Sequence, residues 1–174
     1  MVNDVVNMAA ATSPRESVEG VLDPEIPVLS IADLGILRAV QLDENGHVDV
    51  TITPTYSGCP AMDAIRQDIL AALANDGYDD VQVHTVLAPA WTTDWITAAG
   101  RRKLKEYGIA PPSPDRKPGI VSLTLGLRTP ASEVACPQCG ATQTREVSRF
   151  GSTACKAQYV CDSCREPFDY FKVL

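Results

Sequence analysis

The sequence lacks an excess of basic charge, a long apolar run and a leader-like start. Its 15 lysines and arginines are outnumbered by 22 acidic residues, which gives a net charge of −7 and argues against nucleic acid or an anionic membrane as partner. No apolar run approaches the roughly 20 residues needed to cross a bilayer. The first residues also lack the basic-then-apolar pattern of a signal peptide. We therefore predict a soluble, cytoplasmic protein that binds neither nucleic acid nor membrane.

Histidine is scarce as well, with two in the whole chain. Neither lies at an offset from a cysteine that would indicate a hydrolytic pair, and nothing in the sequence supplies the matched base or oxyanion site of a thiol enzyme. We therefore expect a protein that is not an enzyme.

What is present is the composition of a globular protein with metal chemistry. The 174 residues are 45% hydrophobic and 21% charged, which suits one sizeable domain or two small ones. Six cysteines in a reducing compartment suggest metal binding or chemistry rather than disulfides.

The first part of the chain predicts a small α/β unit. Residues 1–12 show no period and are expected to be disordered. Within residues 13–112 the order is helix, strand, strand, helix, strand, helix. Ser13 and Glu16 form a capping box at the first helix, Asn45-Gly46 indicates a hairpin, and a threonine at 92 or 93 suits the start of the last helix. The predicted fold class is α/β (α+β), a three-stranded sheet with flanking helices.

The second part predicts a metal-bound module. Residues 113–130 are expected to form a linker and a strand, and residues 131–174 a β-rich zinc ribbon. Four cysteines stand in two Cys-x-x-Cys pairs with ribbon spacing: Cys136, Cys139, Cys161 and Cys164. Four thiolates complete a closed tetrahedral site, which is structural rather than catalytic. We predict zinc as the structural metal, while iron in the same four-sulfur site stays open.

Two further cysteines have less obvious roles. Cys155 belongs to neither pair; a buried small residue is the favoured interpretation, with an alternative ligand or a second reactive thiol left open. Cys59 lies between Gly58 and Pro60, where a strand gives way to a helix. If Pro60 is the first helical residue, the positive end of the helix lowers the pKa of the thiol. The alternative is a small apolar plug under the helix.

Asp23 and Glu25 bracket a proline after the first helix. One interpretation is a helix-ending turn with solvated carboxylates. The other is that one carboxylate faces Cys59 across a groove, where it orients a partner or acts as a weak ligand.

Three short motifs together carry a family resemblance: Asp23-Pro24-Glu25, Leu34-Gly35 and Gly58-Cys59-Pro60. They resemble the metal-sulfur cluster assembly family, whose small α/β domains are linked to iron–sulfur cluster assembly, over roughly residues 17–112. With the ribbon and its ending "ACKAQYVCDSCREPFDYFK", the whole chain resembles PaaD-type (also called PaaJ-type) accessory proteins of bacterial phenylacetate degradation.

The resemblance implies a function, a site and partners. The function is maturation of the multicomponent oxygenase that epoxidises phenylacetyl-CoA, through iron–sulfur cluster assembly or insertion into its reductase component. Cys59 becomes the cluster-contacting candidate, with Asp23 or Glu25 beside it. The oxygenase and reductase components are the implied partners, and a P-loop cluster scaffold is left open as donor. Because a cluster normally takes four protein sulfurs, Cys59 would hold one transiently, across a homodimer, or with help from a small thiol or a partner.

Two other functions stay open. A stable structural subunit of the oxygenase complex would co-purify at fixed stoichiometry. An electron-transfer protein with iron in the four-cysteine site would be red, whereas a zinc site is colourless.

Overall fold

The computed structural model describes residues 12–112 and 134–173. The predicted disordered start (1–12, apart from Thr12) and the predicted linker and strand (113–130) lie outside the described residues. None of the helices in the described ranges is long and apolar enough to span a membrane. In chain order the elements are α1 (Pro14–Glu19), β1 (Leu37–Leu42), β2 (Val48–Ile52), α2 (Met62–Asn75), β3 (Val81–Thr85), a 3-10 turn (Thr93–Trp95), α3 (Ala98–Glu106), β4 (Ile109–Ala110), β5 (Thr144–Ser148), β6 (Lys156–Cys161) and β7 (Pro167–Phe171).

The first sheet has the order β1-β2-β3. β1 and β2 are antiparallel, whereas β3 runs parallel to β2, so α2 supplies the crossover that a parallel pair requires. The alternation of β2 buries every second side chain completely, and α2 buries one stripe: Val48, Val50, Ile52, Ile65, Ile69 and Leu73. These elements confirm the predicted fold class.

Local sequence signals account for several boundaries. Ser13 caps α1: its hydroxyl accepts a hydrogen bond from the Glu16 amide, and the Glu16 carboxylate accepts one from the Ser13 amide. In the β1–β2 hairpin, Gly46 has a φ of +88°, a left-handed conformation that glycine adopts without strain. The predicted capping box and hairpin are both confirmed.

Two predicted helix starts are wrong. α2 begins at Met62 with Ala61 as its cap, because residues from Cys59 onward form a turn in which the Met62 amide donates to the Cys59 carbonyl at 3.4 Å. Thr92 caps only the 3-10 turn, and the extended backbone of Ile96 (ψ 123°) interrupts the helix. α3 then starts afresh, with the Thr97 hydroxyl accepting from the Gly100 amide.

The second sheet, in the order β4-β7-β6-β5, packs on the first unit. β4 follows α3 directly and pairs in parallel with β7. Phe171 of β7 is 1% exposed and belongs to the same buried cluster as the first sheet. Its ring centroid lies 6.0 Å from that of Trp91, whose indole N–H donates to the Leu34 carbonyl at 3.0 Å. The two sheets therefore share one core along this contact.

Asp33 connects the loop before β1 to α3. Its Oδ2 accepts hydrogen bonds from Lys103 Nζ at 2.5 Å and from the Ser30 amide at 3.1 Å. Burial opposes ionisation of Asp33, but the hydrogen bonds from Lys103 and Ser30 outweigh it and hold the pKa of this carboxyl below its ordinary value.

We expect Asp33→Asn to lower the free energy of unfolding at neutral pH, and the difference from the parent to shrink in acid. A carboxyl whose folded-state pKa is depressed stabilises the fold above its unfolded pKa, and that stability is lost as pH falls through the folded pKa. Urea unfolding between about pH 7 and about pH 3 spans this titration. Asp79→Asn, at an exposed carboxylate, is the control. A loss for Asp33→Asn that stays constant with pH would contradict the prediction.

Candidate functional site

The four paired cysteines converge at one end of the second sheet. Their sulfur atoms all lie within 4.8 Å of one another. Cys136 Sγ is 3.8 Å from Cys164 Sγ, and Cys139 Sγ is 3.6 Å from Cys161 Sγ. Sulfurs that bind one tetrahedral zinc at about 2.3 Å are about 3.8 Å apart. The donor set therefore fits a single tetrahedral ion.

Each cysteine pair is shaped by a left-handed residue directly after its second cysteine. Gly140 has a φ of +77° and its amide donates to the Cys136 carbonyl at 2.9 Å. Arg165 has a φ of +68°, and its amide donates to the Cys161 carbonyl at 3.0 Å. The two turns are alike although only one carries glycine. The sequence therefore indicates the left-handed conformation at Gly140 but gives no sign of it at Arg165.

The electrostatics of these sulfurs favour a bound cation. The amides of Cys164 and Ser163 donate to Cys161 and lower its pKa to about 6. The Glu166 amide favours the thiolate of Cys164, yet burial and the neighbouring sulfurs raise its pKa to about 12. Four thiolates at this spacing repel one another, and a divalent ion between them removes that repulsion.

Cys59 lines a crevice where the two units meet, here called the interface crevice. The cavity measures about 20 Å³, which is room for one water molecule. The α/β unit and the ribbon each contribute to its walls: Asp23, Glu25 and Cys59 from the first, Thr153, Cys155 and Phe171 from the second. The structure thus brings the three residues that the sequence proposed into one place and adds a second cysteine.

Asp23 is 5% exposed and organises its own turn. Its Oδ1 accepts hydrogen bonds from the amides of Glu25 and Ile26, both at 2.8 Å. Burial raises the pKa of Asp23 even though these hydrogen bonds favour the carboxylate. Within the described parts of the chain, no protein group donates to Oδ2. Glu25 is exposed and so stands at the rim of the crevice.

Cys59 is half-buried, and its pKa shift is opposite to the predicted one. Burial raises the pKa of the thiol, and hydrogen bonds from the Ala61 amide and the Thr55 hydroxyl do not compensate. The nearby Asp23 charge acts in the same direction as burial. The prediction of a lowered pKa is wrong because α2 starts at Met62, so Cys59 is not the residue that caps it.

Cys155 is 8% exposed, which agrees with the favoured interpretation of a buried residue. Its side chain nevertheless packs against the α/β unit, since it belongs to the buried cluster of the first sheet and not to that of the ribbon. Its Sγ lies 3.1 Å from Thr153 Oγ1, and burial raises the pKa of its thiol. The only signal in the sequence was that Cys155 belongs to neither pair.

Comparison with known proteins divides the chain into two parts. The family described as "Iron-sulfur cluster assembly protein" matches residues 15–85, and the "PaaD zinc beta ribbon domain" matches residues 123–172. The chain is 50% identical over 152 residues to an Escherichia coli (strain K12) protein named as a putative subunit of 1,2-phenylacetyl-CoA epoxidase, with 87% of this chain and 86% of that one covered.

Two further matches concern the first part alone. The Fe-S protein maturation auxiliary factor YitW of Bacillus subtilis (strain 168) is 39% identical over 79 residues, which is 45% of this chain and 76% of the relative. A crystal structure of a DUF59 domain from Bacillus anthracis is 28% identical and superposes with a TM-score of 0.49 over 52% of this chain and 87% of the other.

The match to the Escherichia coli protein spans both units, and the two family matches account for each unit separately. The chain belongs to the PaaD-type family, which joins an iron–sulfur cluster assembly domain to a zinc ribbon.

Proposed function

We propose that this protein is a cytoplasmic, non-enzymatic accessory factor that helps to place an iron–sulfur cluster in the reductase component of the phenylacetyl-CoA epoxidising oxygenase. Two names support the proposal: one relative is called a subunit of that epoxidase, and another an Fe-S protein maturation factor. The observation that carries it is the interface crevice, in which Cys59 lies with Asp23 and Glu25.

The crevice has the ligand chemistry of a carrier. Thiolate and carboxylate are both ligands for iron, yet a single thiolate from the α/β unit falls short of the four sulfurs that normally enclose a cluster. An incomplete ligand set favours release to a recipient, which delivery requires. A P-loop scaffold as donor and a homodimer as the holding state are both compatible with this arrangement.

Nothing at the crevice supplies acid–base catalysis by histidine. The two histidines of the chain pair with other carboxylates: His84 lies 2.7 Å from Asp49, and His47 lies 2.9 Å from Asp80. Without a histidine next to Cys59, the thiol lacks the base that most often activates a cysteine nucleophile, which supports a binding role.

In this proposal the ribbon has a structural role and also recognises the partner protein. Cys136, Cys139, Cys161 and Cys164 would hold zinc, and bound zinc would supply the free energy that so small a module lacks. The ribbon would then dock on the oxygenase or its reductase while the α/β unit presents Cys59.

Reconstitution of the reductase tests the function. With the parent protein present, we expect the cluster-free reductase to gain iron and acid-labile sulfide; with Cys59→Ser, we expect it to gain little. Ser57→Ala, at an exposed position in the same loop, should act like the parent, and zinc content should report that each variant is folded. Full cluster content with Cys59→Ser would contradict the proposal.

A stable structural subunit is the second candidate, favoured by the word "subunit" in the name of the Escherichia coli relative. It predicts that the protein stays with the oxygenase at fixed stoichiometry through gel filtration. A carrier would instead dissociate once the reductase holds its cluster.

A further inference from the structure

We propose that Cys59 and Cys155, with the carboxylate of Asp23, form a second metal site that binds one thiophilic divalent ion, ferrous iron in its working state. The inference rests on the proposed function where it names the cargo as a single iron ion. The site itself, with one thiolate from each unit, is testable on the isolated chain.

Three separate chain segments bring these ligands to the interface crevice. Asp23 follows α1, Cys59 precedes α2, and Cys155 precedes β6; all three line the same cavity. The Tyr56 side chain interacts electrostatically with both thiols and with the Ala154 amide, so the ribbon loop lies directly against the Cys59 loop. The backbone of Cys155 is held in turn by β7, since the Lys172 amide donates to the Cys155 carbonyl at 2.9 Å.

Each thiol has a hydroxyl partner suited to a thiolate. The Thr55 hydroxyl favours the thiolate of Cys59, although burial outweighs it and raises the pKa of that thiol, and Thr153 Oγ1 lies 3.1 Å from Cys155 Sγ. A hydroxyl rotates freely between donating and accepting, so it can donate to the sulfur after the proton has left. Asp23 Oδ1 is occupied by two backbone amides, which fixes the carboxylate and leaves Oδ2 as its ligand oxygen.

The size of the cavity selects one ion over a cluster. A volume of about 20 Å³ admits a body the size of one water molecule, and an iron–sulfur cluster is several times larger. Among the described residues, only the ribbon cysteines have ligand atoms that all lie within 4.8 Å, so the crevice ligands must draw together. Closure on the ion therefore requires a change of cysteine rotamer, which moves the sulfur by roughly 3 Å between staggered positions.

The charges also balance around one divalent ion. Two thiolates and one carboxylate exceed the charge of the ion by one, and both thiol protons pass to solvent with no change of oxidation state. Lys156 is 5% exposed, and its charge acts on both Asp23 and Cys155. Its ammonium lies 3.5 Å from Asp169. Because Asp169 shares this buried cation, Lys156 offsets part of the remaining negative charge, which costs free energy in a desolvated place.

Cobalt(II) is the probe for this site, added without air to the full, zinc-loaded chain. We expect one further cobalt per chain with thiolate-to-cobalt charge-transfer absorption. Cys59→Ser and Cys155→Ser should each weaken this binding roughly tenfold or more. Ser152→Ala, an exposed position in the ribbon loop, should bind as the parent does. A parent that takes up no second ion, or a Cys155→Ser variant that binds it with parental affinity, would overturn the site.

A second measurement covers the case in which Cys155→Ser does not fold. When cobalt occupies both sites of the parent, the charge-transfer absorbance of the crevice ion should be about half that of the ribbon ion, because two thiolates stand against four. About one quarter would mean a single thiolate, and the role of Cys155 would then be rejected.

Incubation with ferrous iron and sulfide distinguishes a bound single ion from a bound cluster. The parent should retain one iron and no acid-labile sulfide, and retained sulfide would overturn the choice of a single ion.

The reductase assay distinguishes the metal-site proposal from the proposed function. If Cys155→Ser loses the second ion and still fills the reductase, the metal site is supported and its role in cluster delivery is rejected. If Cys155→Ser keeps the ion while Cys59→Ser fails to fill the reductase, the function stands and the two-thiol site falls.

Discussion

Removal of zinc is expected to unfold the ribbon and to disturb the interface crevice with it. Among the described residues the buried cluster of the second sheet comprises eight, and two of them, Cys136 and Cys161, are cysteines of the proposed zinc site. In comparably small zinc modules the apparent binding free energy is about 10–16 kcal/mol, more than such a core provides without metal. Because Cys155 and Phe171 belong to the core of the first sheet, loss of the ribbon should expose that side of the α/β unit.

Hydrogen exchange with and without a zinc chelator measures this effect. We expect amides of β5, β6 and β7 to lose protection first and completely, and those of the loops around the crevice to lose it in part. Cys161→Ser should behave like the chelated parent, since Cys161 is 0% exposed and is one of the four cysteines of the proposed zinc site. Cys59→Ser, the same change outside the ribbon, should keep its zinc. Protected ribbon amides in the chelated protein would contradict a structural metal.

Short-range sequence patterns were sufficient to predict much of this molecule. The capping box at Ser13, the hairpin at Gly46 and the two Cys-x-x-Cys pairs depend on residues a few positions apart, whose interactions are settled by the backbone itself. The convergence of the four ribbon sulfurs was predictable for the same reason. Apolar residues alternate along β2 and recur at helical spacing along α2, so the buried faces of both elements follow from the sequence.

The composition of the crevice could not be predicted in this way. Cys155 and Cys59 line one crevice where the ribbon docks on the first unit, with Phe171 packed into the core of the first sheet. No local period encodes how one unit docks on another. The prediction of a lowered pKa for Cys59 was wrong for a related reason. Its environment is governed by burial at the contact between units, while Pro60 indicated a helix start that a turn replaces.

Phe171→Ala is expected to lower the free energy of unfolding by about 3–5 kcal/mol, the usual cost of removing a buried phenylalanine ring. The side chain is 1% exposed, its ring packs against Trp91 at 6.0 Å, and it forms part of the crevice wall. Alanine would leave a cavity between the ribbon and the α/β unit that neither can fill without moving.

Phe150→Ala is the matched control, because it makes the same substitution in the same module at a side chain that is 67% exposed. Its ring lies 4.8 Å from the Lys172 ammonium, measured to the centroid. Because this side chain is largely exposed, we expect a change in the free energy of unfolding within about 0.5 kcal/mol. Urea unfolding followed by tryptophan fluorescence and by circular dichroism should show one transition in the parent and two in Phe171→Ala, as the units uncouple. An equal decrease in the free energy of unfolding for Phe171→Ala and Phe150→Ala would mean that the ribbon is tethered to the α/β unit without sharing its core. The thiols of Cys59 and Cys155 would then have no fixed relation to each other.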